Sequence, residues 1–332
     1  MRQPEVARLG RLFLALLLLL PVVDAGRSML VAAAFLVEFL AGGAQRPLSL
    51  LTDTPARSAL SVSGAAADRY VIADKAGRVP LVLVHGLAPE GKDDRRLGDA
   101  AMLLARAGFD VVVPTVPGLT RLRLRPEDRE PVVAAIAARA APSVVVGVSV
   151  GAGVALLAAA DTDVRDRVQL VLSLGGYASA RELVRYYLTG DFGDGDARGH
   201  RVHDPALVSM FVDANADLLD PSARRVLAAR RSDVGHELGA LSPELSRVFD
   251  ALSPGRVLDR VRADLVLVHG RDDIAVPFTE SVALRQARPE RTRLVLVGVV
   301  GHVEAAERLR LAAGLRDLAA LWSVVYGLVS RA

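Results

Sequence analysis

The sequence predicts an α/β protein: a doubly wound, mostly parallel sheet with a helical cap inserted late in the chain. Three observations carry this expectation. Short apolar runs alternate with amphipathic helical stretches from about residue 80 to 176. From Tyr177 to about Asp259 there are helical fragments and no good strand. Strand patterns then resume at Leu265–Val268 and Leu294–Val297. A structureless excursion of about 80 residues is rare in a compact domain, so this one reads as a folded insertion. The expected organisation is a hydrophobic segment over 1–45, a first core part over 46–176, a helical lid over 177–262 and a second core part over 263–332.

In order, residues 46–67 are rich in Ser, Thr, Pro and Ala and read as a linker. Arg69–Ala73 suits a first strand. Pro80–Val84 is a continuous apolar run and reads as a buried strand. Leu97–Ala107 has helical spacing and stops at Gly108. Asp110–Val113 is a short strand closed by Pro114. Glu127–Ala141 reads as a helix opened by Pro126. Val144–Val148 and Gln169–Leu174 are the next strands. Glu304–Val329 is a closing helix.

The N-terminal stretch differs from the rest. Arg2, Arg8 and Arg11 precede the apolar run Leu12–Val23, and a second run, Met29–Leu40, is broken only by Glu38. The first run is shorter than the roughly 20 residues of a spanning helix. It suits a signal peptide with a cleavage site at Val23-Asp24-Ala25. An uncleaved hairpin or interfacial anchor would account for both runs together. The plainer alternative is a pair of helices packed on the protein's own core. Membrane contact through residues 12–40, or export to the cell envelope, is therefore expected, with a cytoplasmic location as the alternative.

The 332 residues carry a formal net charge of +3, with acids interleaved among the arginines. That argues against nucleic acid, which needs clustered positive charge. There is no cysteine, which removes disulfides, thiolate nucleophiles and cysteine metal sites.

The chemistry gathers at strand ends, where open parallel sheets bind ligands. Val144–Val148 runs into Gly147-Val148-Ser149-Val150-Gly151 and then a helical pattern. A serine on such a turn sits in a sharp bend with its hydroxyl projecting above the sheet edge. Asp272 and Asp273 follow the strand at Leu265–Val268. His302 follows the strand at Leu294–Val297. A serine hydroxyl needs a base to take its proton and a carboxylate to orient that base. An oxyanion also needs two donors, and the backbone N–H groups of Leu87 and Val150 are the candidates.

These motifs resemble the α/β-hydrolase family over about residues 79–176 and 263–305. The matching pieces are His85-Gly86, Gly147-x-Ser149-x-Gly151, Gly270-x-x-Asp273-x-x-Val276-Pro277 and Gly301-His302. The resemblance implies Ser149 as nucleophile, Asp273 as acid partner and His302 as general base. It places Asp273, not Asp272, three residues before Val276-Pro277. It also implies a lid where the helical stretch falls. One departure is the loop Thr115-Val116-Pro117-Gly118-Leu119, which lacks the family's usual Asp-x-x-Gly-x-Gly. The expected activity is hydrolysis of carboxylic esters, lipidic ones included, with no cofactor and no metal. The alternatives are a peptidase or acyltransferase of the same fold, or a non-catalytic relative that binds a hydrophobic ligand.

Other polar residues read as structural. His85 and His269 sit at strand ends, and the oxyanion loop uses its backbone. Asp191, Asp194, Asp196, His200, His203 and Asp204 match no calcium or zinc spacing and read as a solvated loop. Tyr186 and Tyr187 read as packing within the lid.

Overall fold

A computed structural model describes residues 24–73, 78–193, 197–298 and 311–332. Helix α1 covers 24–40 and is followed by α2, Pro47–Leu51. Strands β1 (Ala56–Val62) and β2 (Ala65–Val71) form a hairpin. Next come β3 (Val79–Val84), α3 (Arg95–Arg106), β4 (Phe109–Pro114), α4 (Pro117–Thr120) and α5 (Glu130–Ala137). Strand β5 (Ser143–Val148), α6 (Val150–Ala159) and β6 (Val168–Leu174) complete the first half of the core.

The stretch between β6 and the next core strand is helical, as its patterning predicts. It holds α7 (Ala180–Thr189), a short hairpin of β7 (Asp191–Phe192) and β8 (Gly199–His200), α8 (Pro205–Ala214), α9 (Pro221–Ala228), α10 (Val234–Gly239) and α11 (Pro243–Ala251). The core resumes with β9 (Asp264–Gly270), α12 (Thr279–Ala287), β10 (Thr292–Val297) and α13 (Leu311–Val329).

Eight strands form one sheet in the order β1-β2-β4-β3-β5-β6-β9-β10. The two pairings made by β2 are antiparallel and those from β4 to β10 are parallel. Both faces are covered, which is why these strands read as unbroken apolar runs. Val82, Val84 and Val145 point to the face shared with α5, α6 and α12. Leu81, Leu83, Val144 and Val146 point to the face shared with α1, α3 and α13. The chain leaves β3 toward β4 and leaves β5 toward β6. The order therefore reverses between β3 and β5, and a crevice opens beyond their carboxyl ends.

Two expectations change. Residues 46–67 are not a linker, because α2, β1 and the start of β2 lie within them. Ser63 and Gly64, both at positive φ (49° and 79°), make the two-residue turn of a twisted hairpin. The small polar residues of β1 suit an edge strand, most of whose side chains are exposed. The helix expected at 127–141 is also shorter. It opens with a 3₁₀ turn at Pro126–Arg129 and its α-helical part ends at Ala137.

The second apolar run of the N-terminus lies on the core. Ala32, Phe35 and Leu36 of α1 are buried, the latter two in the cluster with Leu97, Leu104, Val324 and Leu328. Each buried Phe or Leu of this kind contributes about 1.5–3 kcal/mol. Glu38, the charge that interrupts the run, accepts hydrogen bonds from the Ser49 N–H (3.0 Å) and the Ser49 hydroxyl, tying α1 to α2. Among the described residues no helix is long and apolar enough to cross a membrane. The first run, Leu12–Val23, lies outside the described residues.

Candidate active site

Ser149 stands on the bend between β5 and α6, the central strand and the helix that follows it. Its backbone is held at φ 54°, ψ −131°. A non-glycine residue in such a conformation costs on the order of 1–3 kcal/mol, so the surroundings must enforce it. They do so through contacts that only small neighbours permit. A Cβ on Gly147 would lie 2.4 Å from the Ala152 Cα, and one on Gly151 would lie 2.0 Å from the His85 carbonyl oxygen. The Ser149 N–H donates to the Leu174 carbonyl at 2.7 Å, fixing the bend to the end of β6. The partial positive charge of the α6 N-terminus then lies beside Ser149 and favours negative charge there.

The loop after β3 closes on the serine. A Cβ on Gly86 would be 3.2 Å from the Ser149 Cβ, so glycine allows the approach. This brings Leu87 and Ser149 to the wall of one cavity. Val150 is the first residue of α6, and its N–H has no acceptor within the helix. Of the two residues whose N–H groups are the expected donors, Leu87 thus lines the cavity that holds Ser149 and Val150 follows Ser149 in the chain.

His85 shapes this loop through both of its ring nitrogens. It is buried, its Nδ1 lies 2.8 Å from the Gly86 carbonyl, and its Nε2 lies 2.9 Å from the Val116 N–H. A carbonyl only accepts and an amide N–H only donates, so the proton sits on Nδ1 and the ring is neutral. Burial lowers its pKa, consistent with that state. His85 thereby ties the loop after β3 to the loop after β4. That second loop, the one that departs from the family pattern, is held by Asp128, whose carboxylate accepts from the Gly118 N–H (2.9 Å) and the Arg125 N–H (2.8 Å).

Asp273 lies past the end of β9 and is buried, whereas the Asp272 side chain is 82% exposed. One Asp273 carboxylate oxygen accepts from the N–H groups of Ala275 (2.8 Å) and Val276 (3.0 Å). The other lies 3.5 Å from the His269 Nε2. His269 donates from Nε2 to the Val276 carbonyl (2.8 Å), and its Nδ1 meets the Ser281 hydroxyl at 2.7 Å. It is a structural residue that braces the acid loop. Asp273 and Ser149 line the same cavity, so the structure brings nucleophile and acid candidates together. His302 lies outside the described residues.

Two residues read as packing have a further part. The Tyr186 hydroxyl donates to the Ile274 carbonyl and the Tyr187 hydroxyl to the Ala275 carbonyl, both at 2.8 Å. Helix α7 of the insertion thus grips the two residues that follow Asp273. Burial raises both phenol pKa values, that of Tyr186 to about 12, so both remain donors at neutral pH. The only sequence signal was the adjacent pair itself.

Glu280 anchors the entry to the insertion. Its buried carboxylate accepts from the Ala178 and Ser179 N–H groups (2.9 and 3.0 Å), and burial raises its pKa. In the polar loop of the insertion, Asp191 pairs with Arg231 and His200. Asp194 and Asp196 lie outside the described residues.

The fold is that of the α/β-hydrolases. The chain is similar to a puromycin-hydrolyzing peptidase of Mycobacterium tuberculosis, with 19% identity and a TM-score of 0.54 over 86% of this chain. It is also similar to an acylaminoacyl peptidase of Pyrococcus horikoshii, with 15% identity and a TM-score of 0.52 over 80% of this chain. It spans only 41% and 40% of the lengths of those solved chains. No protein-family model matches the sequence, and no curated relative matches it.

Proposed function

We propose that the protein is a serine hydrolase that cleaves carboxylic esters. The observation that carries this reading is the strained Ser149, held at the sheet's crevice on one cavity with the buried Asp273. Strain of this kind is kept where it serves a site. In the proposed reaction His302 takes the Ser149 proton as the hydroxyl attacks the ester carbonyl. Asp273 orients the imidazole and stabilises its charged form. The Leu87 and Val150 N–H groups bind the oxyanion. The alcohol leaves with the proton from His302. Water, activated by the same imidazole, then releases the acid from acyl-Ser149. No step calls for a cofactor or metal.

The two peptidases among similar structures favour an amide as the second reading. The test is labelling with a small fluorophosphonate, comparing wild type with Ser149→Ala, followed by p-nitrophenyl esters and aminoacyl p-nitroanilides. Labelling lost in Ser149→Ala, with ester turnover faster than anilide turnover, supports the ester reading. Faster anilide turnover supports the peptidase. A well-folded wild type that neither labels nor turns over overturns both and leaves ligand binding without catalysis.

We also propose that residues 12–40 meet a lipid surface. The support is the outward side of α1, where Met29, Leu30 and Val37 are exposed, and the neighbouring Leu50 and Leu51 of α2.

A further inference from the structure

Two separate apolar cavities flank the candidate site. One, of about 480 Å³, lies between the helical insertion and the core. Its walls include Leu183, Val208, Phe211 and Val248 from the insertion. On the core side they include Leu87 and the pair Ile274-Ala275 beside Asp273. The other, of about 320 Å³, holds Ser149 and Asp273 in its wall. It runs back between the sheet and three helices, with Phe35, Leu36 and Phe39 of α1, Leu97 of α3 and Val324 and Leu328 of α13 around it. Leu87, the candidate oxyanion donor, lines both cavities. The two voids therefore share the residue that would hold the scissile carbonyl oxygen.

Each volume falls in the range of small-molecule sites. Among the described residues, no lysine or arginine lines the insertion cavity, and its polar side chains are those of Tyr187, His203, Asp204 and Asn215. In the α1 cavity the polar side chains are those of Ser149, Asp273, His85, Asp94 and Arg96, and most of the remaining wall is aromatic and aliphatic. Phe35 and Phe39 stack on one another with ring centroids 6.3 Å apart, one turn of α1 presenting both. A site with one apolar cavity would accept a single long group. This site offers space to two.

Building on the hydrolase reading, we propose that the substrate carries an apolar group on each side of its scissile bond. One group occupies the cavity walled by α1 and the other the cavity beneath the insertion. Phe35 and Phe39 set what the first cavity accepts. The net reaction is that of any ester hydrolysis. Water adds across the acyl C–O bond, Ser149 Oγ holds the acyl group between the two halves, and acid and alcohol leave.

The test uses the full chain and four esters in which acyl and alcohol groups are each short or long, acetyl or decanoyl against methyl or decyl. Lengthening either group alone should raise kcat/KM at least about tenfold, which is about 1.4 kcal/mol of transition-state binding. Val208→Trp should abolish the gain from one group, and Phe39→Trp the gain from the other. Val248→Phe replaces the first variant, and Phe35→Trp the second, if thermal unfolding shows that either is not folded. Two variants that act on the same group, or a second long group that brings no gain, overturn the two-cavity assignment while the hydrolase reading stands. Absence of Ser149-dependent turnover of all four esters overturns both.

Discussion

Ser149 is held in place by what its neighbours lack. Gly151→Ala would put a methyl carbon 2.0 Å from the His85 carbonyl oxygen, which is backbone and cannot swing aside. Either α6 or the loop carrying Leu87 must then shift. The expected loss of stability is about 3 kcal/mol, in the range of overpacking and strain, and fluorophosphonate labelling should fall with it. Urea unfolding and labelling rate check the two effects; wild-type values for both would mean the contact is not held in solution. His85 makes a second prediction, this one in pH. Its folded pKa is lowered from 6.5 by burial. Below that pH the unfolded chain takes up a proton that the folded chain resists, so the unfolded state binds more protons. The stability His85 contributes is full above pH 6.5 and is lost as pH falls toward the folded pKa. His203 is shifted in the same direction, so a comparison of variants is needed to isolate His85. Urea midpoints at about pH 7.5 and about pH 5.5 should differ less in His85→Gln, which cannot ionise, than in wild type. An equal difference in the two proteins would remove His85 as a cause.

At the level of elements, the insertion is joined to the acid loop by α7. Tyr186 and Tyr187 donate to the carbonyls of Ile274 and Ala275, while Asp273 accepts from the N–H groups of Ala275 and Val276. Removing both hydroxyls, in Tyr186→Phe with Tyr187→Phe, takes away two hydrogen bonds worth about 1 kcal/mol each. It leaves the aromatic packing in place. We expect kcat to fall about tenfold with little change in KM, because the loss is in how Asp273 is held and not in the apolar walls. A change confined to KM would make the pair part of substrate binding only. Much of this architecture was legible in the sequence. The strands β3, β5 and β6 announce themselves as valine-rich and leucine-rich runs because both faces are buried, and the Gly-x-Ser-x-Gly bend follows from close packing that admits no Cβ. Strand β1 was not legible: its residues are small and polar, and an exposed edge strand leaves no apolar period to read; of β2 only the end, from Arg69, was read as strand. The hydroxyl grip of Tyr186 and Tyr187 was hidden for another reason. Its partners are carbonyls 88 residues away, and only the folded insertion brings them together.

Across the whole molecule, the N-terminal region serves two surfaces at once. One side of α1 is core: Ala32, Phe35 and Leu36 are buried, and the Trp322 indole N–H of α13 lies 3.4 Å from the Met29 carbonyl. The other side is apolar and exposed, with Leu30 at 74%, and α2 adds Leu50 at 85% and Leu51 at 79%. Helix α1 thus has the charged-poor, two-sided character that a sequence of mixed hydropathy hides, since a run apolar all round predicts either burial or lipid. Arg2, Arg8 and Arg11 stand upstream of it in a chain of net charge +3. Apolar surface with nearby cationic residues binds anionic bilayers through the sum of both contributions. The full-length protein should therefore co-sediment with vesicles of phosphatidylglycerol and phosphatidylcholine, and less well with phosphatidylcholine alone. Leu30→Glu combined with Leu50→Glu should weaken vesicle binding at least about tenfold, a loss of about 1.4 kcal/mol. Both positions are exposed, so folding and Ser149 labelling should persist in the variant. Vesicle binding by wild type that the two substitutions leave unchanged would assign the contact to another surface. No binding at all would leave α1 as a core helix alone, with its cavity-facing phenylalanines as its part in the chemistry.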